Sequence, residues 1–157
     1  MPTATYIALA EFTTSGNTQS VTFSSIPATY RDLVLVINGK TTSGPVAIEV
    51  FVNNSSSGYS LVQMTGDGSS TSSNSQTNPE IIMSSTDGMN IINFMDYSAT
   101  DKHKTMLVRD NIPGNRVRAS AIRWDSTNAI TTIRIGDNPF SVNIASGTTF
   151  GLYGIVS

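Results

Sequence analysis

Cysteine is absent from the chain, which removes disulfides and thiolate chemistry and suits a reducing compartment. Histidine occurs once, as His103, and tryptophan once, as Trp124. With one imidazole and no thiolate, a zinc site would need several carboxylates to converge, and no spacing in the chain signals that. Charge is sparse as well. Asp, Glu, Lys and Arg supply 13% of the 157 residues, about half the usual share. The net charge of −2 is spread without a block of one sign. A protein that grips duplex nucleic acid or an anionic membrane carries a basic patch, so direct contact with either is not expected. Long hydrophobic runs are missing too. The opening MPTATYIALAEF has no basic n-region and no apolar segment long enough for secretion or for crossing a bilayer. Synthesis and folding in the cytosol are expected.

What fills the space is hydroxyl. Ser and Thr supply roughly a quarter of the chain, a composition of strands and polar loops rather than of helices, whose exposed faces carry Glu, Lys, Ala and Leu. Period-two alternation recurs. Within Thr5 to Phe12, Tyr6, Ala8, Ala10 and Phe12 share one face, and Ile7, Leu9 and Glu11 the other. Val21 and Phe23 alternate with Thr22 until Ile26-Pro27 closes the strand. Leu33 to Ile37 is apolar throughout, as for a central strand covered on both faces. Ile48, Val50 and Val52 alternate with Glu49 and Phe51, and Tyr59 to Met64 makes another short strand. Further strands are expected over Ile81 to Met83, Met89 to Tyr97, Lys104 to Arg109, Arg116 to Trp124, Ala129 to Ile135 and Thr149 to Val156.

Turn signals at Gly16-Asn17, Asn38-Gly39, Asp87-Gly88, Pro113-Gly114 and Gly136-Asp137 separate most of these segments. Small helical turns fit around Ala28 to Asp32, and no convincing amphipathic helix appears. From Thr65 to Asn78 the chain reads TGDGSSTSSNSQTN, without one apolar residue. Burial cannot offset the ordering entropy of such a segment, so residues 65–78 are expected to form a long surface loop. The whole, residues 1–157, reads as a single all-β domain: an antiparallel β-sandwich, jelly-roll-like, of about 8–10 strands.

Little in the chain points to catalysis. His103 lies in Thr100-Asp101-Lys102-His103-Lys104. A catalytic or metal-bound histidine needs an orienting partner. Asp101 is near, yet the flanking lysines disfavour both a cation and an imidazolium, so a solvated turn is expected. A glycosidase holds two carboxyl groups across a cleft. Most of the acids (Asp32, Asp67, Glu80, Asp87, Asp96, Asp101, Asp110, Asp125 and Asp137) fall at strand ends or turns, where Asp bonds locally. Glu11 and Glu49 lie on strands, with exposed faces expected. No Gly-x-Ser-x-Gly elbow marks a nucleophile. Gly66-Asp67-Gly68-Ser69 lacks the alternating acids and final glutamate of a calcium loop. Asn53-Asn54-Ser55 and Asn54-Ser55-Ser56 match a glycosylation acceptor, which means little without a secretion signal. No catalytic, cofactor or metal residue is assigned, and no enzyme activity is expected.

One cluster suggests a partner. Arg116, Arg118 and Arg123 lie near Trp124, and Arg116, Arg118, Ser120, Ile122 and Trp124 share one strand face. Arginines beside an aromatic suit a protein interface, a sugar or nucleic acid, with a protein interface first. The competing reading is a half-exposed sheet face whose guanidiniums pair with Asp110 and Asp125.

Three segments taken together carry a likeness. They are TYIALAEFTTSGNTQSVTFSSIPATYRDLVLVINGK at the start, WDSTNAITTIRI from Trp124, and FSVNIASGTTFGLYGIVS at the end. This pattern resembles a family of tailed-bacteriophage virion structural proteins, over roughly the first quarter and the last fifth of the chain. The resemblance implies a jelly-roll-like sandwich on a virion, either a head decoration (cement) protein or a module of a tail fibre or spike. It carries over no catalytic residues. Tyr30 and Arg31 would anchor the corner entering the central strand, and Gly151 and Gly154 would admit a close neighbour in the last strand. Patterned sequence runs from Thr5 to Val156 with no coiled-coil stem or collagen-like run, which favours decoration of the capsid surface. The expected partners are the major capsid protein of the same phage and, as a homotrimer, further copies of the chain. The alternative is a receptor- or carbohydrate-binding tip using the 65–78 loop, with Trp124 or Tyr59 stacked on a sugar.

Overall fold

The computed structural model describes residues 5–136 and 141–156. Twelve strands follow one another: β1 (Tyr6–Thr13), β2 (Ser20–Phe23), β3 (Asp32–Gly39), β4 (Val46–Val52), β5 (Tyr59–Gly66), β6 (Thr71–Gln76), β7 (Glu80–Met83), β8 (Gly88–Met95), β9 (Lys104–Ile112), β10 (Arg116–Trp124), β11 (Ile133–Gly136) and β12 (Thr149–Ile155). Among the described residues there is no helix; bends at Ala28, Tyr30 and Arg31 lead into β3 where helical turns were expected. An eight-stranded sheet runs β1-β12-β3-β8-β9-β10-β5-β6 and a four-stranded sheet β2-β11-β4-β7, with every pairing antiparallel. The expected antiparallel sandwich is present, with twelve strands rather than about 8–10 and an uneven division between the sheets. The turn expected at Gly136-Asp137 runs into residues outside those described.

Alternation explains the core. Leu33, Leu35 and Ile37 of β3 meet Ile48, Val50 and Val52 of β4 and Ile133 and Ile135 of β11 in one apolar cluster, every one of them inaccessible to solvent. On the outer side of β3, Val34 lies between Tyr153 and Asn93 and is buried, but Val36 is only half-buried, so the apolar run is covered fully on one face and only in part, by neighbouring side chains, on the other. β1 departs from strict alternation. Its register shifts between Ala8 and Ala10, so Tyr6 and Ala8 align with Ile155 and Tyr153, whereas Ala10 and Phe12 align with Leu152 and Phe150. One extra residue in a bulge moves the rest of a strand to the opposite face.

The segment expected to be a loop over 65–78 is instead the end of β5, a short turn and β6. Side-chain burial does not drive this hairpin; main-chain pairing along an existing strand does. Asp67 caps the turn. Its Oδ1 accepts the N–H groups of Ser69 at 2.9 Å and Ser70 at 2.6 Å, and its Oδ2 accepts the Ser70 hydroxyl at 2.7 Å. The Ser70 hydroxyl, then the Ser69 and Ser70 N–H groups, hold the Asp67 carboxyl well below the usual carboxylate range. A depressed folded value contributes order above the unfolded pKa and loses it as pH falls through the folded one. Protection of the amides over residues 71–76, relative to their intrinsic exchange rates, is therefore expected to fall selectively below about pH 4, and Asp67→Ala to abolish that acid dependence.

Two polar joints fix the β3–β12 region. Tyr30 lies flat on β12 at Gly154, where an added Cβ would collide with the ring. The Asp32 carboxylate accepts the Asp96 N–H at 2.8 Å, and the Arg31 N–H donates to the Ile155 carbonyl at 2.9 Å. The corner anchor expected at Tyr30 and Arg31 is thus the way the chain enters β3. At the other end Thr148 Oγ1 receives the Lys40 N–H at 3.2 Å and donates to the Lys40 carbonyl at 3.1 Å, while the Thr148 N–H reaches Thr14 Oγ1 at 3.0 Å. Gly154→Ala is expected to cost about 1–3 kcal/mol by overpacking, seen as a lower urea midpoint at unchanged slope.

Candidate functional site

β9, β10 and β5 lie side by side, and their alternation is inverted relative to a simple amphipathic sheet. Arginine points inward from β10, and small apolar residues point out. On the inner side Arg118 Nε and Nη2 grip Asp110 at 2.9 and 2.8 Å, and Nη1 reaches Gln63 at 2.9 Å and Glu80 at 3.3 Å. Asp110 Oδ2 also accepts the Ile82 N–H of β7 at 2.9 Å. A buried guanidinium satisfied on three sides therefore ties the edge of the small sheet to the large one. Trp124 stacks on Tyr59 at 6.4 Å, and both are buried. The Tyr59 phenol accepts the Val52 N–H at 3.0 Å and donates to the Ser55 carbonyl at 3.2 Å; burial pushes it up to about 12.

The interface expected from Arg116, Arg118, Arg123 and Trp124 is accordingly divided. Arg118 and Trp124 belong to the interior and no partner reaches them in this fold. Arg116 is half-buried beside Asn115. Arg123 alone of the four is on the outer face, where its Nε lies 3.1 Å from His103 Nδ1. Of the competing reading, a half-exposed face whose guanidiniums pair with Asp110 and Asp125, the Asp110 pairing is present but buried, and Asp125 instead packs beside Gly58. Trp124 and Tyr59 are equally withdrawn from any sugar.

The other sequence candidates resolve as local structure. His103 is exposed in its turn. Lys104, expected beside it in solvent, is fully buried, its Nζ donating to the Lys102 carbonyl at 2.8 Å and the Thr127 carbonyl at 3.2 Å. Burial lowers its pKa, with Asp101 and Asp96 opposing the shift. Glu11 is exposed as expected, but Glu49 is buried. Asn53 Nδ2, the atom a glycan would need, donates to the Ala129 carbonyl at 2.8 Å. Among the described residues no three of His, Cys, Asp and Glu are grouped to hold a metal ion, and no helix is long and apolar enough to cross a membrane.

The feature the sequence reading missed is the outer face of the eight-stranded sheet. Cross-strand register lines up Asn93, Leu107, Ala121 and Val62 in one row and Ile91, Arg109, Ala119 and Met64 in the next. Val117 stands in the adjacent row, against Asn111. Val62 is 60% exposed, Met64 65%, Val117 62% and Leu107 44%. A shallow depression of about 470 Å³ lies over these residues, from Asn93 and Leu107 across to Val62 and Met64. Arg109 is the one charged side chain in the two rows. Solvent-facing sheet surfaces normally carry alternating polar residues; a contiguous apolar patch marks an interaction surface. The signal was available in Val117, Ala119 and Ala121, which alternate with Arg116, Arg118 and Ser120. No protein-family model matches the chain, and no curated protein matches it either.

Proposed function

We propose that the protein is a structural component of a tailed-bacteriophage virion, a capsid decoration (cement) protein that binds the outside of the head and stabilises the shell by bridging capsomers. The three sequence segments quoted above motivate the setting. The observation that carries the role is the apolar outer face of β9, β10 and β5, offered by a rigid sandwich. That face is apolar and shallow across three neighbouring strands, suited to another protein surface rather than to a small substrate. Its partner on this reading is the major capsid protein of the same phage, with the chain arranged as a homotrimer. Stable contact requires burying roughly 1,200–2,000 Å² in total. A protein that binds only the assembled shell stabilises it by mass action, and no chemistry on a substrate is needed.

The test is to locate the protein in the particle. Cryo-microscopy is expected to find many copies on the head, and stripping them to lower the temperature at which DNA escapes. A few copies at the tail, with head stability unchanged, would overturn this reading in favour of a fibre or spike module.

A further inference from the structure

The two sheets present four edges, and three of them are blunted. β1 carries a bulge between Ala8 and Ala10 and the charge of Glu11. β2 has only four residues. β7 has its Ile82 N–H capped by Asp110. The fourth edge, β6, has none of these devices. Its six residues, TSSNSQ, contain no charge and no proline, and its pairing with β5 runs from Leu61↔Gln76 to Gly66↔Thr71 without a register shift. Side chains from Thr71 to Ser75 are exposed on both faces, so the strand overhangs the sandwich. A regular, unprotected edge is a template for another strand.

We propose that β6 docks a second copy of this chain, pairing antiparallel with that copy's β6 to continue the sheet across a two-fold axis. Self-pairing fits the chemistry. No charge on β6 repels its copy, and opposed Ser, Thr and Asn side chains form favourable cross-strand pairs. The second copy also arrives as a preformed strand, whereas a flexible peptide would have to be ordered on binding. A two-fold axis normal to the sheet keeps the outer faces coplanar, so the Val62 and Met64 surfaces of both copies lie on the same side of the seam. The ladder is about 20 Å long and covers much less than the roughly 800 Å² per partner of a stable interface. Pairing is therefore weak in dilute solution and takes hold where copies are concentrated. The inference does not depend on the capsid reading. Two-fold pairing makes dimers, so a homotrimer would use a different surface.

Geometry sets the test. In such a pair one residue lies opposite its own copy, and when the strands overlap most fully that residue is Ser73 or Asn74. Ser73→Cys and Asn74→Cys, oxidised separately at high protein concentration, are expected to show at least one position forming covalent dimer at least 10-fold faster than Thr13→Cys on β1. Lysines at the two same-face neighbours of the reactive position then oppose one another across the seam: Thr71→Lys with Ser75→Lys beside position 73, or Ser72→Lys with Gln76→Lys beside position 74. They are expected to slow cross-linking at least 10-fold, and the Thr71→Lys/Ser75→Lys pair, at exposed positions, to leave the thermal midpoint of the monomer unchanged. Cross-linking at both β6 positions no faster than at Thr13→Cys overturns the proposal, as does β6 cross-linking that is indifferent to the lysines.

Discussion

Arg118→Ala is expected to lower the unfolding free energy by about 3–5 kcal/mol, the usual consequence of removing one partner from a buried ion pair. The side chains of Arg118 and Asp110 are 3% and 0% exposed, so water cannot replace the lost guanidinium. Alanine would leave Asp110, Gln63 and Glu80 facing a void, with two carboxylates near each other and no cation between them. The Ile82 N–H would keep its acceptor, but the strand it belongs to would lose its tie to β10. At this chain length a loss of that size corresponds to roughly 10 °C or more in thermal midpoint. Urea unfolding of Arg118→Ala measures it directly. The cost reflects stranding the carboxylates rather than a large net worth of the ion pair. A variant combining Arg118→Met with Glu80→Leu and Asp110→Asn, whose amide oxygen keeps an acceptor for the Ile82 N–H, is therefore expected to recover part of the lost stability. A loss below about 1 kcal/mol in Arg118→Ala would mean that the inner site admits water.

The scaffold was legible because its elements obey the simplest rule, apolar residues at every second position. Eleven of the twelve strands coincide with alternating or continuously apolar segments. β6 was not legible, because nothing in TSSNSQ is buried and its order comes from the main chain of β5. The β1 bulge was hidden for a related reason: Ala8, Leu9 and Ala10 have no polar residue among them to reveal where the alternation slips. In β10 the inversion misled. Arginines looked like the side that meets a partner, yet Ile122 and Trp124 share their face, and those two could only be interior. A face holding both charge and large apolar groups is an internal ion-pair site when acids such as Asp110 and Glu80 stand across from it.

The quoted segments at the two ends of the chain also acquire a spatial meaning. β1, β12 and β3 are neighbours in the large sheet, and β2 pairs with β11 in the small one. The recognisable sequence therefore builds one side of the sandwich, with the Tyr30–Gly154 and Thr148–Lys40 joints inside it. The central segment builds the other side, β9, β10, β5 and β6, which carries the exposed apolar surface and the open edge. Such a division separates the joints that hold the fold from the surface and edge left open to partners.

On the proposed role in the capsid, Met64→Lys and Leu107→Lys are expected to weaken attachment to the shell by about 100-fold or more when combined, while changing the stability of the isolated protein by no more than about 0.5 kcal/mol. Both side chains are substantially exposed in the free chain, so folding gains little from them. Their value is realised only when a partner covers them, at about 1.5–3 kcal/mol for full burial of a side chain of this size. A lysine at the centre of that contact would in addition be desolvated without a matching acid. Arg123→Ala, at the rim, is expected to change attachment far less, because a rim charge remains hydrated in the complex. The measurement is the occupancy of the variants on heads stripped of the native protein, alongside urea midpoints of the free chains. Equal occupancy of wild type and the Met64→Lys/Leu107→Lys variant would remove this face from the contact. A drop in midpoint matching the loss of occupancy would instead assign these residues to the core. Attachment and folding must separate if the outer face is what the shell meets.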